Sequence, residues 1–144
     1  MAKTKGVRYW KKKAWTEFSK WVRMRDTVKG TKFGYCCTCH LRYPTFGVGC
    51  MQAGHYVAGR TNAVLFEEHG CHAQCYNCNI NLKGNTFNYR EFMDRKYGKV
   101  ERERIEQLRF KLVKYSPAEL EAIRDKYKAK LKEIKEQSHE RRSD

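Results

Sequence analysis

Two Cys-x-x-Cys pairs, Cys36 with Cys39 and Cys75 with Cys78, constrain this 144-residue chain more than any other feature of its sequence. Each turn of this kind directs two thiolates at one point, and two turns complete the tetrahedral shell of a structural zinc ion. The separation between the pairs exceeds that of a simple zinc ribbon, so further elements must be built into the gap. We therefore predict one structural zinc ion per chain, bound by these four cysteines, which would add rigidity to a small core.

Other residues leave the ligand set open. Cys37 and His40 form a Cys-x-x-His, and Cys71 adds a further thiol. Cys37 and Cys50 are interpreted as buried or spare, the usual fate of unpaired cysteines. The odd total of seven cysteines favours metal binding in a reducing compartment over a disulfide framework.

The formal net charge of +15 is unevenly distributed. Residues 1–30 carry +8 and residues 81–115 carry +5, whereas residues 31–80 and 116–144 carry +1 each. Two basic segments thus flank a nearly neutral, cysteine-rich centre, as expected of a protein that binds a polyanion by releasing counterions from phosphates. The alternative is that these basic residues form an ordinary solvated surface without a polyanionic partner. Membrane binding is a weaker alternative, because acidic residues are interspersed among the basic ones. The N-terminal segment contains three lysines that we expect to contact DNA: Lys11, Lys12 and Lys13.

The length and the short periodic segments predict a single small α+β domain over residues 1–137. Residues 1–30 are expected to form a basic N-terminal helix, residues 31–85 the zinc-stapled core with short strands, and residues 86–137 a helical part. Residues 138–144 read as a frayed tail. No run of roughly 18 apolar residues is present, and the N-terminus is too basic for a signal peptide, so we expect a soluble, cytoplasmic protein with no membrane partner.

Helical spacing of apolar residues defines one face before Gly30 and three faces in the C-terminal part. The last helix has a complete start signal in YSPAEL, with Ser116 as N-cap, Pro117 in the first helical position and Glu119 closing a capping box. Its long apolar stripe suits either a dimer interface or packing on its own domain. The four faces are Val7, Trp10, Ala14, Phe18 and Trp21; Tyr89, Phe92, Met93 and Tyr97, stopped by Gly98; Ile105, Leu108 and Leu112; and Leu120, Ile123, Tyr127, Leu131 and Ile134.

A single histidine, His55, lies in the glycine-containing stretch QAGHYVAGRT between the two cysteine pairs. A neutral imidazole near pH 7 accepts a proton from water that attacks a phosphate, provided that a divalent metal ion neutralises the developing charge. Asn79, directly after the second pair, offers an amide oxygen suited to a hard metal ion. His72 is either a second ligand or a brace for the cysteine turn. The alternative is that His55 has no catalytic role and is an ordinary hydrogen-bonded histidine.

Four segments carry a resemblance to known proteins: CCTCH, QAGHYVAGRTNA, HAQCYNCNINLKGN and SPAELEAIRDKYKAKLKEIK. Two cysteine turns on either side of the Ala-Gly-His-Tyr segment that contains His55, with CN closing the second, resemble the zinc-containing ββα-metal (HNH and endonuclease VII-like) nucleases. More specifically, the segments resemble the lambdoid phage NinG (Rap) recombination endonuclease family over roughly residues 10–136.

The resemblance implies a ββα-metal nuclease core flanked by helices, and structure-selective cleavage of branched recombination intermediates such as Holliday junctions and D-loops. It implies that His55 is the general base, that the four paired cysteines bind structural zinc, and that Asn79 ligates a catalytic Mg²⁺ or Mn²⁺ ion. If the chain is phage-encoded, the cytoplasm is that of a bacterial host. Resolving a four-way junction requires two symmetric nicks, so we expect a homodimer, or two sequential visits by one active site.

Two positions depart from the wider pattern of these nucleases. Gly54 stands where an acidic metal ligand usually precedes the histidine, and Gly70 stands at the usual central asparagine. The metal ligands that complete the site are therefore left open among neighbouring polar residues. The candidates are His72, Asn81, Asn85 and Glu68.

Basic and glycine residues around His55 complete the predicted site. Arg60 and Lys83 flank it and suit phosphate contacts, although ordinary surface charges are an equal alternative. Gly54 and Gly59 are expected to let the backbone bend tightly and to leave room for a phosphate. Two other functions remain open: a zinc-stabilised DNA-binding module without catalysis, and a non-selective HNH nicking nuclease.

Overall fold

The N-terminal and C-terminal helices pack against each other and form the larger part of the core. In the computed structural model, which describes the backbone of residues 4–142 and the side chains of residues 4–138, helix α1 spans Val7–Arg25 and helix α5 spans Pro117–Arg142. The apolar stripe of α5 faces α1 and the sheet behind it, so this stripe packs on its own domain. The buried residues of this cluster are Phe18, Trp21, Val22, Ala53, Cys71, Tyr127 and Leu131.

The predicted aromatic stripe of α1 is confirmed as core at Phe18 and Trp21. The helix ends at Arg25, before the expected Gly30. The predicted start of α5 is also confirmed, because the Ser116 N–H donates to Glu119 Oε1 (3.2 Å) and the Glu119 N–H donates to Ser116 Oγ (3.1 Å). This reciprocal pair is a capping box.

Helix α5 continues through Arg142, although its end was expected near residue 137. The predicted frayed tail covers residues 138–144, of which residues 143–144 lie outside the described part of the chain. The fraying itself stays a prediction.

Two small antiparallel sheets lie between the helices. Strands β1 (Phe33–Tyr35) and β2 (Arg42–Pro44) form one sheet, and strands β3 (Gln52–His55) and β4 (Cys71–Gln74) form the other. In the second sheet Gly54 pairs with His72, and His55 pairs with Cys71. Because cross-strand partners share a face and neighbours along a strand alternate, His55 and Gly54 belong to opposite faces of this sheet.

Short helical segments connect and follow the second sheet. In chain order they are α2 (Asn62–Leu65), a 3₁₀ turn (Glu68–Gly70), a π-helical turn (Asn77–Asn81), α3 (Thr86–Tyr97), α4 (Lys99–Gln107) and a 3₁₀ turn (Leu108–Phe110). Helix α2 and the first 3₁₀ turn lie between β3 and β4, and the π-helical turn begins shortly after β4. Helices α2, α3 and α4 and the last 3₁₀ turn contribute to the second core cluster, around Tyr89 and Ile105.

Two predicted helical faces of the C-terminal part meet different outcomes. The face that contains Tyr89 and Met93 is buried, and α3 ends at Gly98 as predicted. The next face holds as far as Leu108, which packs half-buried against the same cluster as the fully buried Ile105. The helical spacing is lost beyond it, because α4 ends at Gln107. The prediction that Leu112 belongs to this face is wrong, since its side chain is 87% exposed.

These elements confirm a small α+β fold with two antiparallel sheets. Within residues 4–142, no helix combines the length and the apolar character needed to cross a bilayer.

Candidate functional site

The four paired cysteines converge on one point. Their sulfur atoms all lie within 4.8 Å of one another, and the Sγ atoms of Cys39 and Cys75 are 3.8 Å apart. A tetrahedral zinc ion with Zn–S bonds of about 2.3 Å requires sulfurs separated by about 3.8 Å. The cluster is therefore compatible with a structural zinc ion bound by Cys36, Cys39, Cys75 and Cys78, as predicted.

Local hydrogen bonds build both cysteine turns. In the first turn the His40 N–H donates to the Cys36 carbonyl (2.9 Å), with His40 in the left-handed region at φ 65°. In the second turn the Cys78 N–H points at Cys75 Sγ (3.4 Å). Burial disfavours ionisation of Cys36, but hydrogen bonds from Thr38 and from backbone groups outweigh it and lower its pKa to about 7. Burial raises the pKa of Cys39 to about 12 and also raises that of Cys78, so the case for metal binding rests on the positions of the sulfur atoms and not on the thiol pKa values.

The remaining cysteines do not join this cluster. Cys37 is buried against α3 and Cys71 is buried in the α1–α5 cluster, and burial raises the pKa of both thiols. Cys50 is half-buried, and Arg23 Nη1 lies 3.7 Å from its sulfur. His40 is exposed. Among the residues that the structure describes, the paired cysteines form the one group with metal-ligand geometry, so the alternative sets with Cys37, His40 or Cys71 are not supported.

His55 is held at the end of β3 by one hydrogen bond and one stacked ring. Its Nε2 lies 3.1 Å from the carbonyl oxygen of Leu65, and its ring stacks on Trp15 at 5.2 Å between centroids. Leu65 ends α2, so its carbonyl has no partner within that helix. Because a carbonyl only accepts, Nε2 carries the proton and donates it, and the neutral ring keeps its lone pair on Nδ1. Burial and, to a smaller extent, Arg60 lower the pKa of His55 below its usual value, against the opposing effect of the Leu65 hydrogen bond.

A groove lined by basic side chains lies beside this histidine. The Arg60 guanidinium carbon lies 4.4 Å from the centroid of the Trp15 ring, on which His55 also stacks. The predicted DNA contacts Lys11, Lys12 and Arg60 share this environment, whereas Lys13 and Lys83 are exposed outside it. The residues that line the open groove, of about 540 Å³, are Val7, Arg8, Lys11, Lys12, Trp15, Arg60 and Leu65.

Asn79 belongs to a neighbouring groove. This second groove, of about 640 Å³, is open and includes Trp15 and Arg60 in its lining together with Gln52, Asn79 and Arg23. The two grooves therefore meet at Trp15 and Arg60. No direct hydrogen bond links His55 to Asn79 among the described contacts. His55 lines neither groove, but it stacks on Trp15, which lines both.

The π-helical turn fixes the orientation of Asn79. The Asn79 backbone N–H donates to the Cys75 carbonyl (2.9 Å), and its side-chain Nδ2 donates to Gln52 Oε1 (2.8 Å). Its amide oxygen is directed at Gly54, where a Cβ atom would lie 3.0 Å from it. Asn79 thus presents a neutral oxygen of the kind that hard divalent ions accept, and π-helical turns are frequent at functional sites.

Gly54 serves a different purpose from the one predicted. It lies inside β3 and does not adopt positive φ, so the expectation that it bends the chain tightly is wrong. A Cβ atom there would lie 2.0 Å from Gln74 Oε1, so the absent side chain makes room for this amide rather than for a phosphate. The expected bend is present at Gly59, where φ is +101°, whereas room for a phosphate there stays a prediction.

His72 lies in the core, on the side of the sheet that faces α3. Its Nδ1 contacts the Tyr89 hydroxyl (3.1 Å) and its Nε2 contacts the Tyr97 hydroxyl (2.7 Å). The Tyr89 hydroxyl donates to the Gly54 carbonyl (2.7 Å), which leaves His72 Nδ1 as the donor in the first contact. Burial lowers the pKa of His72 well below its usual value. Both ring nitrogens are engaged by hydroxyl groups of α3, which does not favour metal ligation. These contacts brace α3 against the sheet and not the cysteine turn, which was the predicted alternative.

The other candidate ligands have partners elsewhere. Asn85 Nδ2 lies 3.5 Å from Cys78 Sγ, and Asn81 donates to Asn77 on the exposed side of the turn. Glu68 accepts hydrogen bonds from Tyr127 (2.7 Å) and Lys130 (2.8 Å) of α5. The structure does not bring these three residues to Asn79.

Sequence reasoning missed four residues of this region. The Trp15 ring stacks on the ring of His55, and the Leu65 carbonyl fixes the tautomer of His55. Gln52 orients the side chain of Asn79, and the side chain of Gln74 lies over Gly54. The sequence signal that could have found Gln74 is its position, as a polar residue directly before Cys75.

The fold and the site define a small α+β protein with a Cys₄ cluster compatible with zinc. A basic groove lies beside His55, which is half-buried at the end of β3. Residues 1–137 match the family model described as Bacteriophage Lambda NinG protein, and the chain belongs to this NinG family. It is 29% identical over 136 residues to "Protein ninG" of Salmonella phage P22, an alignment that covers 92% of this chain and 61% of that protein. The chain thus spans about three-fifths of the length of this curated relative. No solved structure matches the chain.

Proposed function

We propose that this protein is a metal-dependent endonuclease of the ββα-metal (HNH, endonuclease VII-like) type that hydrolyses phosphodiester bonds in branched DNA. One observation carries the proposal: His55 has one ring nitrogen fixed by the Leu65 carbonyl and a lone pair on the other, beside a groove lined by Lys11, Lys12 and Arg60. The order β3, β4, helical turn, with His55 on the first strand and Asn79 on the turn, supports the same class.

In this mechanism the neutral His55 accepts a proton on Nδ1 from a water molecule as its oxygen attacks the phosphorus. The new P–O bond forms while the bond to the leaving oxygen breaks, and that oxygen departs with the electron pair. Arg60 stabilises the phosphate by charge. The lowered pKa of His55 keeps it in the base form at neutral pH.

A divalent ion, Mg²⁺ or Mn²⁺, would supply charge neutralisation at the scissile phosphate when bound. The amide oxygen of Asn79 would hold it, and its position over Gly54 fits such an ion. A phosphate lying across the end of β3, against Arg60, would be approached by His55 from beside Trp15 and by Asn79 from the second groove.

The cysteine cluster would provide rigidity in this account. Cys75 directly follows β4, and Asn79 directly follows Cys78, so a zinc ion bound by these residues fixes the turn that presents Asn79. The metal would thus determine the geometry of the site without entering the reaction.

Branched DNA as the substrate follows from the resemblance to recombination endonucleases, and the basic grooves support contact with phosphates. A homodimer would deliver the two symmetric nicks of junction resolution. Because α5 already packs on α1, the dimer interface would have to use another surface.

The test measures cleavage of a four-way junction and of a linear duplex at one fixed salt concentration, with Mg²⁺ and without it, while zinc content is monitored. We expect Mg²⁺-dependent cleavage in which unlabelled junction competes more strongly than duplex. Binding without cleavage under every metal condition would indicate a DNA-binding module, and equal use of the duplex would indicate a non-selective nicking nuclease.

A further inference from the structure

The side chain of Gln74 is fully buried and firmly oriented. Its Nε2 donates to the Gly84 carbonyl (2.9 Å) and to Thr38 Oγ1 (3.1 Å). Because the Gly84 carbonyl only accepts, the reversed amide would place its own oxygen against this carbonyl oxygen, which fixes the identity of Nε2. The other end of the amide, Oε1, therefore points away from these two partners.

This Oε1 atom has no hydrogen-bond partner among the side chains and backbone that the structure describes. Buried polar atoms are nearly always paired, so an orphaned acceptor in the interior indicates a missing partner. The atom lies over Gly54, where an added Cβ would be 2.0 Å away, and the Asn79 oxygen approaches the same point to 3.0 Å. Two amide oxygens thus converge where nucleases of the proposed type place an acidic side chain.

We infer that Gln74 Oε1 is a second protein ligand of the divalent ion, in place of a carboxylate at position 54, an inference that rests on the proposed function. A hard divalent ion accepts amide oxygens and retains several water molecules when the protein supplies few ligands. Gly54 is required in this arrangement because any side chain there would displace the Gln74 oxygen. Two neutral oxygens hold the ion less tightly than a carboxylate, so the DNA phosphate would complete the charge balance.

The first test measures binding of Mn²⁺ to the zinc-loaded protein by electron paramagnetic resonance. We expect Gln74→Met, which keeps the volume and removes the oxygen, to weaken Mn²⁺ binding at least about 10-fold, as loss of metal-site partners typically does. Asn79→Ala is expected to weaken it similarly. The matched control is Asn81→Ala, a change of an exposed amide in the same turn, which should bind Mn²⁺ like the wild type.

Unchanged Mn²⁺ binding by folded, zinc-containing Gln74→Met, with a defect in Asn79→Ala, would overturn the inference and leave the proposed function intact. A zinc-loaded wild-type protein that binds no Mn²⁺ and cleaves junctions without added divalent ion would overturn both the ligand assignment and the metal-dependent mechanism. The two failures are therefore distinguishable.

A second measurement needs no variant. In ¹⁵N-labelled wild-type protein, small additions of Mn²⁺ should broaden the side-chain NH₂ signals of Gln74 and Asn79 before those of Asn81 and Gln107. A Gln74 signal that stays sharp while the Asn79 signal disappears would overturn the inference, even if Gln74→Met does not fold.

Discussion

The cysteine cluster and the region around His55 and Asn79 differ in how much of each site the chain itself supplies. The cluster has four thiol ligands within 4.8 Å of one another, three of them almost fully buried. The second region offers neutral oxygens and one imidazole at the edge of open grooves. A closed, complete ligand shell is typical of structural metal sites, whereas an open and incomplete one leaves positions for water and substrate. The difference predicts that damage to the first site costs folding and damage to the second costs chemistry.

The largest effect is expected from Cys78→Ser. A structural zinc site contributes about 10–16 kcal/mol in small zinc domains, comparable to the whole stability of a typical domain. We therefore expect loss of zinc and loss of the folded state, measured by metal analysis and circular dichroism. The control is Cys50→Ser, the same chemical change at a half-buried cysteine outside the cluster. A folded Cys78→Ser protein with normal zinc content would contradict the claim that the cysteine cluster is a structural zinc site.

The second site should respond to pH through His55. Its lowered folded pKa means that the base form is present at neutral pH and is lost as the pH falls. The single-turnover cleavage rate should therefore rise with pH and reach its plateau with a midpoint below about 6.5, the ordinary value for histidine. Because Arg60 contributes to lowering this pKa, Arg60→Gln should move the midpoint upward, whereas Lys13→Gln should not. A rate independent of pH from 5 to about 7 would contradict the assignment of His55 as the base.

A smaller effect is expected from the groove lysines. Replacing Lys11 and Lys12 with alanine should weaken binding to every DNA and reduce the slope of log K against log salt by up to about 2, near one unit per lost phosphate contact. The matched control replaces Lys128 and Lys132, two exposed lysines of α5, with the same change in net charge. Equal effects of the two pairs would show that the groove has no special role.

The smallest effect should come from the capping box, which is remote from both sites. Ser116→Ala removes the side-chain acceptor of the Glu119 N–H and should lower the free energy of unfolding by about 1 kcal/mol in denaturant titrations. Ser116→Asp retains an acceptor and should restore it. Zinc content and the cleavage rate of the folded protein should not change. A change in either would mean that α5 is coupled to the sites.

The features that sequence could predict are local ones. The cysteine turns and the Ser116–Glu119 cap depend on residues three positions apart, and both appear as expected. The helical face ending in Leu112 failed, because the periodicity continued past the point where α4 ends. Local spacing carries no information about where a helix stops for tertiary reasons.

The partners of the candidate site depend on long-range contacts and were not predictable in the same way. Leu65 reaches His55 from the end of α2, and Trp15 reaches it from α1. From the sequence, Gly54 was expected to allow a tight bend of the backbone. In the structure the absence of a side chain at Gly54 leaves space for the side-chain amide of Gln74. Such close approaches depend on how β3, β4 and the π-helical turn pack together. Local sequence patterns do not predict this packing.

The most direct test of the central claim compares His55→Ala with His69→Ala. His69 is a partly exposed histidine that stacks on Tyr97 and pairs with Glu101, so its loss controls for removing an imidazole. We expect His55→Ala to cleave junctions about 10²–10⁴-fold more slowly, with folding, zinc content and junction affinity retained, while His69→Ala cleaves like the wild type. Near wild-type cleavage by His55→Ala would contradict the account and leave His55 as an ordinary hydrogen-bonded histidine.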